Sequence, residues 1–321
     1  MSDPATGTEW AYAHLNDESI RTAVRRNVGT LMMLTSDARP MAIGTCFVVS
    51  RWGTQVLAFT AGHVIDAALR EAAPQRLRAR PLSDWPPHIL NACMGKVFFY
   101  FGEQDYGPPP TLSSFYVSPE SDMAWVVIDA RGVIAAQPGV AVVAIDSDIH
   151  FDDTEIIAIC GTDLAPRATE SADTFQLDPA IQLRAGRIRR VLRRGRLVQN
   201  MTYETTIPFA PGMSGSPVLC RPSDSPSSMA AIGIVSSDLS EHGSHDDPRV
   251  GGLSSVMPIG AVYGLGFTYG DGKVGGIDEL CRNGSIVDVG GKRDDIVVVR
   301  LADDSYQVTL PIASGNAMAP K

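Results

Sequence analysis

The chain has 321 residues, 44% of them hydrophobic and 20% charged, and a formal net charge of −9. That excess of acid disfavours nucleic-acid binding. The apolar runs are too short to span a bilayer, and no zinc-type Cys/His spacing, phosphate loop or dinucleotide glycine motif is present. The length accommodates a domain of more than about 200 residues plus extensions, and 30 glycines and 22 prolines suit a turn-rich, strand-built chain.

Residues 1–27 read as a polar leader and a short helix over 17–26, with Asn16 or Asp17 as its cap. The leader carries Asp3, Glu9, Asp17 and Glu18 and lacks a basic-then-apolar pattern, so no signal peptide is expected. Strands are predicted at about 28–35, 41–50 and 54–60. The third leads into Thr60-Ala61-Gly62-His63-Val64 and a short helix that Pro74 stops. His63 therefore stands at a strand-to-helix junction, where a side chain reaches into a cleft. An imidazole there can accept and return a hydroxyl proton near neutrality, or it can simply cap the helix.

The proline-rich stretch 74–92 reads as a loop, 96–101 as a strand and 107–110 as a turn. A strand at 123–129 then has Asp122 at its head and Asp129 at its far end. Either carboxylate could orient a histidine. Asp122 is preferred, because an acid at the buried head of an apolar strand needs a hydrogen-bonding partner. Later strands are expected at about 154–161, 174–191, 196–206, 217–221, 229–237 and 253–259, with a hairpin over 296–310.

The segment Pro211-Gly212-Met213-Ser214-Gly215-Ser216-Pro217 is a tight turn that can hold one hydroxyl and two backbone N–H groups in one concavity. Ser214 is the candidate nucleophile, and the N–H groups of Gly212 and Ser214 are the candidate oxyanion hole. The chain order His63, Asp122, Ser214 is one of three unrelated orders that serve the same acyl-transfer chemistry.

Seven arginines lie between positions 184 and 196. They fit either a solvated basic strand edge or a docking surface for an acidic partner. His242, His245, Asp246 and Asp247 read as a polar loop rather than a metal site. Cys46, Cys93, Cys160, Cys220 and Cys281 are odd in number and widely scattered, so free thiols, a reducing compartment and a cytoplasmic protein are expected.

On these motifs the chain resembles the trypsin-like, chymotrypsin-fold serine proteases, most closely the bacterial Deg/HtrA type. Residues 44–50 match the first core strand of that family, 60–64 its histidine motif, 122–124 its aspartate motif and 207–218 its nucleophile segment. Residues 231–237 resemble its pocket-wall strand and 251–259 its last barrel strand, so the likeness covers roughly 28–265.

The resemblance implies an all-β fold of two six-stranded antiparallel β-barrels with the active site between them, plus short N- and C-terminal extensions. It divides the chain into a leader (1–27), a first barrel with His63 and Asp122 (28–135), a second barrel with Ser214 (136–265) and a C-terminal extension (266–321). It implies a serine endopeptidase acting on protein or peptide substrates, with no cofactor and no metal. Pro208, Phe209, Ser236, Ser237 and Asp238 would line the substrate pocket. A silent or partner-activated protease-fold binding module, docking through 184–196, is the alternative.

The chain departs from the pattern in three ways. Met213 replaces the aspartate that pairs with a freed N-terminus in digestive members. Val64 replaces a cysteine that would bond back to Cys46. Finally, only 266–321 follows the matched region, so the PDZ domain of Deg proteases is not expected.

Overall fold

The structure is a computed structural model that describes residues 24–34, 40–101, 109–118, 121–131, 142–160, 167–168, 175–176, 182–192, 201–207, 209, 212–220, 229–238, 254–268, 274–290, 297–300 and 306–309. For 167–168, 175–176, 237–238, 267–268, 274, 297–300 and 306–309 the description is of backbone alone.

Six antiparallel strands close a first barrel: β1 (Val28–Leu34), β2 (Pro40–Trp52), β3 (Gln55–Ala61), β4 (Val97–Phe101), β5 (Thr111–Ser118) and β6 (Met123–Asp129). The strand order around it is β1-β2-β3-β6-β5-β4. Beyond it run β7 (Glu155–Cys160), the short pair β8 (Arg167–Ala168) and β9 (Phe175–Gln176), then β10 (Gln182–Leu192), β11 (Thr202–Thr205), β12 (Pro217–Cys220), β13 (Ala230–Asp238) and β14 (Ser254–Pro258). A second closed barrel has the order β10-β11-β14-β13-β12-β7. The two-barrel all-β class expected from the sequence is the observed one.

Strands β2, β3, β6, β7 and β12 are apolar on both faces because each face has its own core to fill. Side chains alternate across a strand with a period of two. In β2, Cys46 and Val48 point into the first barrel, whereas Phe47 and Val49 join a second cluster. The same alternation separates Val56 and Ala58 from Leu57 and Phe59 in β3, and Ala124, Val126 and Ile128 from Met123, Trp125 and Val127 in β6. Across the molecule, Ile157 and Ile159 of β7 and Leu219 of β12 meet that second cluster, while Ile156, Ala158 and Val218 fill the other barrel. One continuous core therefore joins the barrels. Phe47 and Phe59, opposite each other in the β2–β3 register, pack edge to face within it with centroids 6.0 Å apart.

Two predicted elements differ. The stretch read as a loop over 74–92 contains 3₁₀ turns at Gln75–Leu77 and Leu82–Asp84, then helix α2 (Pro87–Met94), which follows α1 (Gly62–Ala72) in chain order. Its prolines mark starts rather than breaks. Pro74, Pro81 and Pro86 sit immediately before these elements and Pro87 occupies the first helical turn, where the missing N–H has no helical partner to lose. Leu77, Trp85, Cys93 and Met94 anchor the stretch to the first barrel's core. The sequence reading also has no counterpart to β5. A register shift between Leu112 and Ser114 breaks its alternation, and most of the strand is only partly buried.

The chain beyond β14 returns to the shared core. Residues Ile259–Gly264 form a 3₁₀ turn, β15 (Gly266–Thr268) pairs β16 (Val274–Gly276), and α3 (Ile277–Arg282) follows. Ile277, Leu280, Cys281 and Ile286 pack in the cluster that joins the barrels. Trp125 of β6 donates its indole N–H to the Gly266 carbonyl at 2.5 Å. Ile145, in the connection between the barrels, bridges both Ala231 and Asp288. The hairpin expected over 296–310 is β17 (Val297–Arg300) paired with β18 (Tyr306–Thr309).

All five cysteines are buried and none forms a disulfide, as expected. Burial pushes the Cys46 thiol up to about 12, against a smaller lowering by the Gly29 backbone. In β10, Arg187 and Arg189 are exposed while Ile188 is buried. Two of its arginines meet acids across the register, Arg187 with Glu155 at 3.0 Å and Arg190 with the buried Glu204; because β10 is paired on both sides, by β7 and β11, it is not the strand edge that the sequence reading allowed for. Arg193, Arg194 and Arg196 lie outside the described residues, as do His242, His245, Asp246, Asp247 and the leader to residue 23. No helix among the described residues is long and apolar enough to cross a membrane.

Candidate active site

Strand β3 ends at Ala61, and the chain turns directly into α1 with His63 in its first turn. The cap residue Ala61 offers no side-chain hydrogen bond, so the leading N–H groups of the helix need acceptors from elsewhere. Asp122 supplies them. Its backbone carbonyl accepts from the Gly62 N–H at 2.9 Å and its carboxylate Oδ1 from the His63 N–H at 2.8 Å. Both are reachable because Asp122 adopts a left-handed conformation, φ 48°, just before β6, a geometry aspartate tolerates better than most side chains.

The same carboxylate meets the imidazole. His63 Nδ1 lies 2.8 Å from Asp122 Oδ2 and 3.1 Å from Oδ1. Ser236 Oγ donates to Asp122 Oδ2 at 2.5 Å. Asp122 is 14% exposed and His63 47%, so the anion is largely enclosed while the ring keeps a solvent-facing side. The rival Asp129 is at the opposite end of β6, held by Arg131 at 2.6 Å, and that guanidinium keeps its carboxyl below the usual range.

The Ser214 turn is clamped by the first barrel. The Thr45 N–H donates to the Ser214 carbonyl at 2.8 Å, and Thr45 Oγ1 donates to the Gly212 carbonyl at 3.1 Å. Thr60 Oγ1 in turn donates to the Thr45 carbonyl at 2.7 Å. From the second barrel, the Val235 carbonyl accepts from Gly215 N–H at 2.8 Å. Gly212 and Gly215 both have positive φ, 86° and 87°, which a Cβ disfavours.

At Gly215 a Cβ would also lie 2.0 Å from the Thr45 carbonyl oxygen and 2.3 Å from Thr60 Oγ1. The Gly215→Ala protein is therefore expected to lose roughly 2–4 kcal/mol of stability, from backbone strain and overpacking together, and to lose any activity that depends on the turn. Urea unfolding checks this, and an unchanged midpoint would mean that the turn does not dock on Thr45.

The Ser214 hydroxyl donates to the Ser236 carbonyl at 3.1 Å. Ser236 thus touches the acid through its side chain and the candidate nucleophile through its backbone. Among the described residues, the N–H groups of Gly212 and Ser214 and the His63 Nε2 atom have no hydrogen-bond partner. Met213 between them is fully buried in the second barrel.

Of the predicted pocket residues, Phe209 is buried in that barrel's core, with its N–H donating to Ser254 Oγ at 3.0 Å. Ser236 is buried and turned toward Asp122. Pro208 and the side chains of Ser237 and Asp238 lie outside the described residues.

Sequence reasoning placed Ser236 in the pocket wall and missed the parts played by Thr45 and Thr60. Their common signal is a hydroxyl within an otherwise apolar, buried strand, which requires a partner.

The family model for the trypsin-like peptidase domain matches residues 44–223, which include most of β2, His63, Asp122 and Ser214. No curated protein matches the chain at significant similarity.

Proposed function

Because the chain belongs to the trypsin-like peptidase family, we propose that it is a serine endopeptidase of the Deg/HtrA-like kind in which Ser214 attacks the peptide carbonyl. The observation that carries the reading is the hydrogen-bonded run from Ser236 through the Asp122 carboxylate to His63 Nδ1, with Ser214 held on the same Ser236.

In the proposed reaction the Ser214 side chain turns from the Ser236 carbonyl to His63 Nε2, which takes its proton as Oγ bonds to the carbonyl carbon. The carboxylate of Asp122 holds the Nδ1–H tautomer and stabilises the imidazolium. The unpartnered N–H groups of Gly212 and Ser214 receive the oxyanion. His63 then gives its proton to the leaving amine, and water repeats the cycle on the acyl-enzyme. No step calls for a cofactor. The targets are a restricted set of proteins.

The family resemblance assigns the base of the proposed specificity pocket to the residue six before the nucleophile, which here is the apolar, uncharged Pro208. Such a slot desolvates an aliphatic side chain and leaves a Lys ammonium without a counter-ion, and each methylene contributes about 1–3 kcal/mol to such discrimination. Cleavage after Ala, Val or Leu is the expected result.

Labelling with a fluorophosphonate, followed by peptide mapping, tests the nucleophile; profiling cut sites in a denatured protein mixture tests the pocket. Label on Ser214 with aliphatic cleavage sites supports the proposal. A dominant Lys or Arg preference overturns the pocket. Absence of both label and cleavage leaves the non-catalytic binding module, docking an acidic partner through 184–196.

A further inference from the structure

Strand β2 reaches the Ser214 turn at Gly44 and Thr45. The approach is close: a Cβ at Gly44 would lie 3.0 Å from the Ser214 carbonyl oxygen and 2.6 Å from Val64, the neighbour of His63. By the period of two, the Thr45 side chain shares a face with Phe47 and Val49, which belong to the core joining the barrels. Its hydroxyl has a single proton, and that proton goes to the Gly212 carbonyl at 3.1 Å, across 167 positions of sequence. We propose that Thr45 is a positioning residue for the oxyanion hole, acting through this bond to set the Gly212 N–H. The inference rests on the reading of Ser214 as the nucleophile.

Thr45 holds the turn at two points that do different things. Its N–H donates to the Ser214 carbonyl at 2.8 Å, a backbone bond that any residue but proline supplies. The Gly215 N–H donates to the Val235 carbonyl at 2.8 Å, and the Ser216 N–H to the Met213 carbonyl at 2.9 Å. The Met213 carbonyl shares a peptide plane with the Ser214 N–H, so that oxyanion donor is oriented by backbone bonds alone. Gly212 is different. With a φ of 86° and no Cβ, it turns readily about both of its backbone bonds. Anchoring its carbonyl on Thr45 Oγ1 removes one of the two rotations that redirect its N–H.

Packing alone does not call for a hydroxyl at position 45. The side chain is fully buried, and valine has nearly the same shape. The Thr45 carbonyl is held separately, by Thr60 Oγ1 at 2.7 Å. What valine removes is the side-chain donor to Gly212. An oxyanion donor acts when charge develops on the substrate oxygen, so loosening it lowers turnover and leaves ground-state binding alone.

The test is steady-state hydrolysis of a peptide by the full-length chain and its Thr45→Val and Thr45→Ser variants, with thermal unfolding measured alongside. Thr45→Val is expected to lower kcat by about 10- to 100-fold, less than the roughly 10²–10³-fold lost with a whole donor. KM should stay within about twofold of wild type, the pattern of an interaction made only in the transition state. A peptide trifluoromethyl ketone forms an ionised hemiketal as Ser214 Oγ bonds to its carbonyl carbon and the proton passes to His63. Its inhibition constant should rise by the same factor. Thr45→Ser returns the hydroxyl and should recover kcat to within about threefold of wild type.

A lower melting temperature with kcat and inhibition unchanged in Thr45→Val overturns the proposal. So does a loss confined to KM, or one that Thr45→Ser does not recover. If Thr45→Val does not fold, Thr45→Ala, which also lacks the donor, is judged by the same criteria. A wild-type protein that neither hydrolyses peptides nor takes a fluorophosphonate label overturns the nucleophile reading and this inference with it. An active wild type with an indifferent Thr45→Val overturns this inference alone.

Discussion

The Ser214→Ala protein is expected to hydrolyse protein substrates about 10⁶-fold more slowly than wild type, the loss seen when a triad serine is removed and only substrate binding and oxyanion stabilisation remain. Folding should barely change. The hydroxyl makes one hydrogen bond, to the Ser236 carbonyl, worth about 1 kcal/mol, while the turn is held by backbone bonds from Thr45 and to Val235 that alanine preserves. Turnover and thermal unfolding measured on one preparation separate the two effects. Residual turnover within tenfold of wild type would rule out Ser214 as the nucleophile.

Replacing Asp122 by Asn is expected to lower turnover by about 10⁴-fold, because an amide presents the wrong group to Nδ1 and favours the other imidazole tautomer. That corresponds to about 5 kcal/mol of transition-state stabilisation. The carboxylate accepts from the His63 N–H, Nδ1–H and Ser236 Oγ together. An amide has one oxygen for these three donors, so at least one is left facing an NH₂. Asp129→Asn is the control. Its carboxylate pairs with Arg131 at 2.6 Å, at the other end of β6 and roughly 20 Å from Asp122 at the rise of an extended strand, and turnover should stay near wild type. A silent Asp122→Asn with a damaging Asp129→Asn would move the acid to the other end of β6.

Several features follow from the chain alone. The apolar runs around 41–60 and 123–128 read as strands, and the turn at 211–217 needs glycine for conformational reasons. His63 lies where a strand gives way to a helix. These are local properties: side-chain period, helix punctuation and backbone freedom act within a few residues. β5 escaped for a local reason too, since its bulge disrupts the period on which the reading depends.

What tertiary structure decided was everything that depends on groups distant in sequence meeting across the barrels. Asp122 rather than Asp129 faces His63 because a left-handed residue at the head of β6 turns its carboxylate onto the start of α1. Ser236 joins them, and Thr45 holds the Ser214 turn, through contacts 114 and 167 residues apart. The tail is part of the core because Ile277, Leu280 and Ile286 fill the space between two curved sheets. Asp146, His150 and Cys220 become neighbours only when β12 closes against the interbarrel connection. Hydrogen-bond and ligand geometry act over about 3 Å in space, whatever the separation along the chain, so these contacts exist only once both barrels are closed.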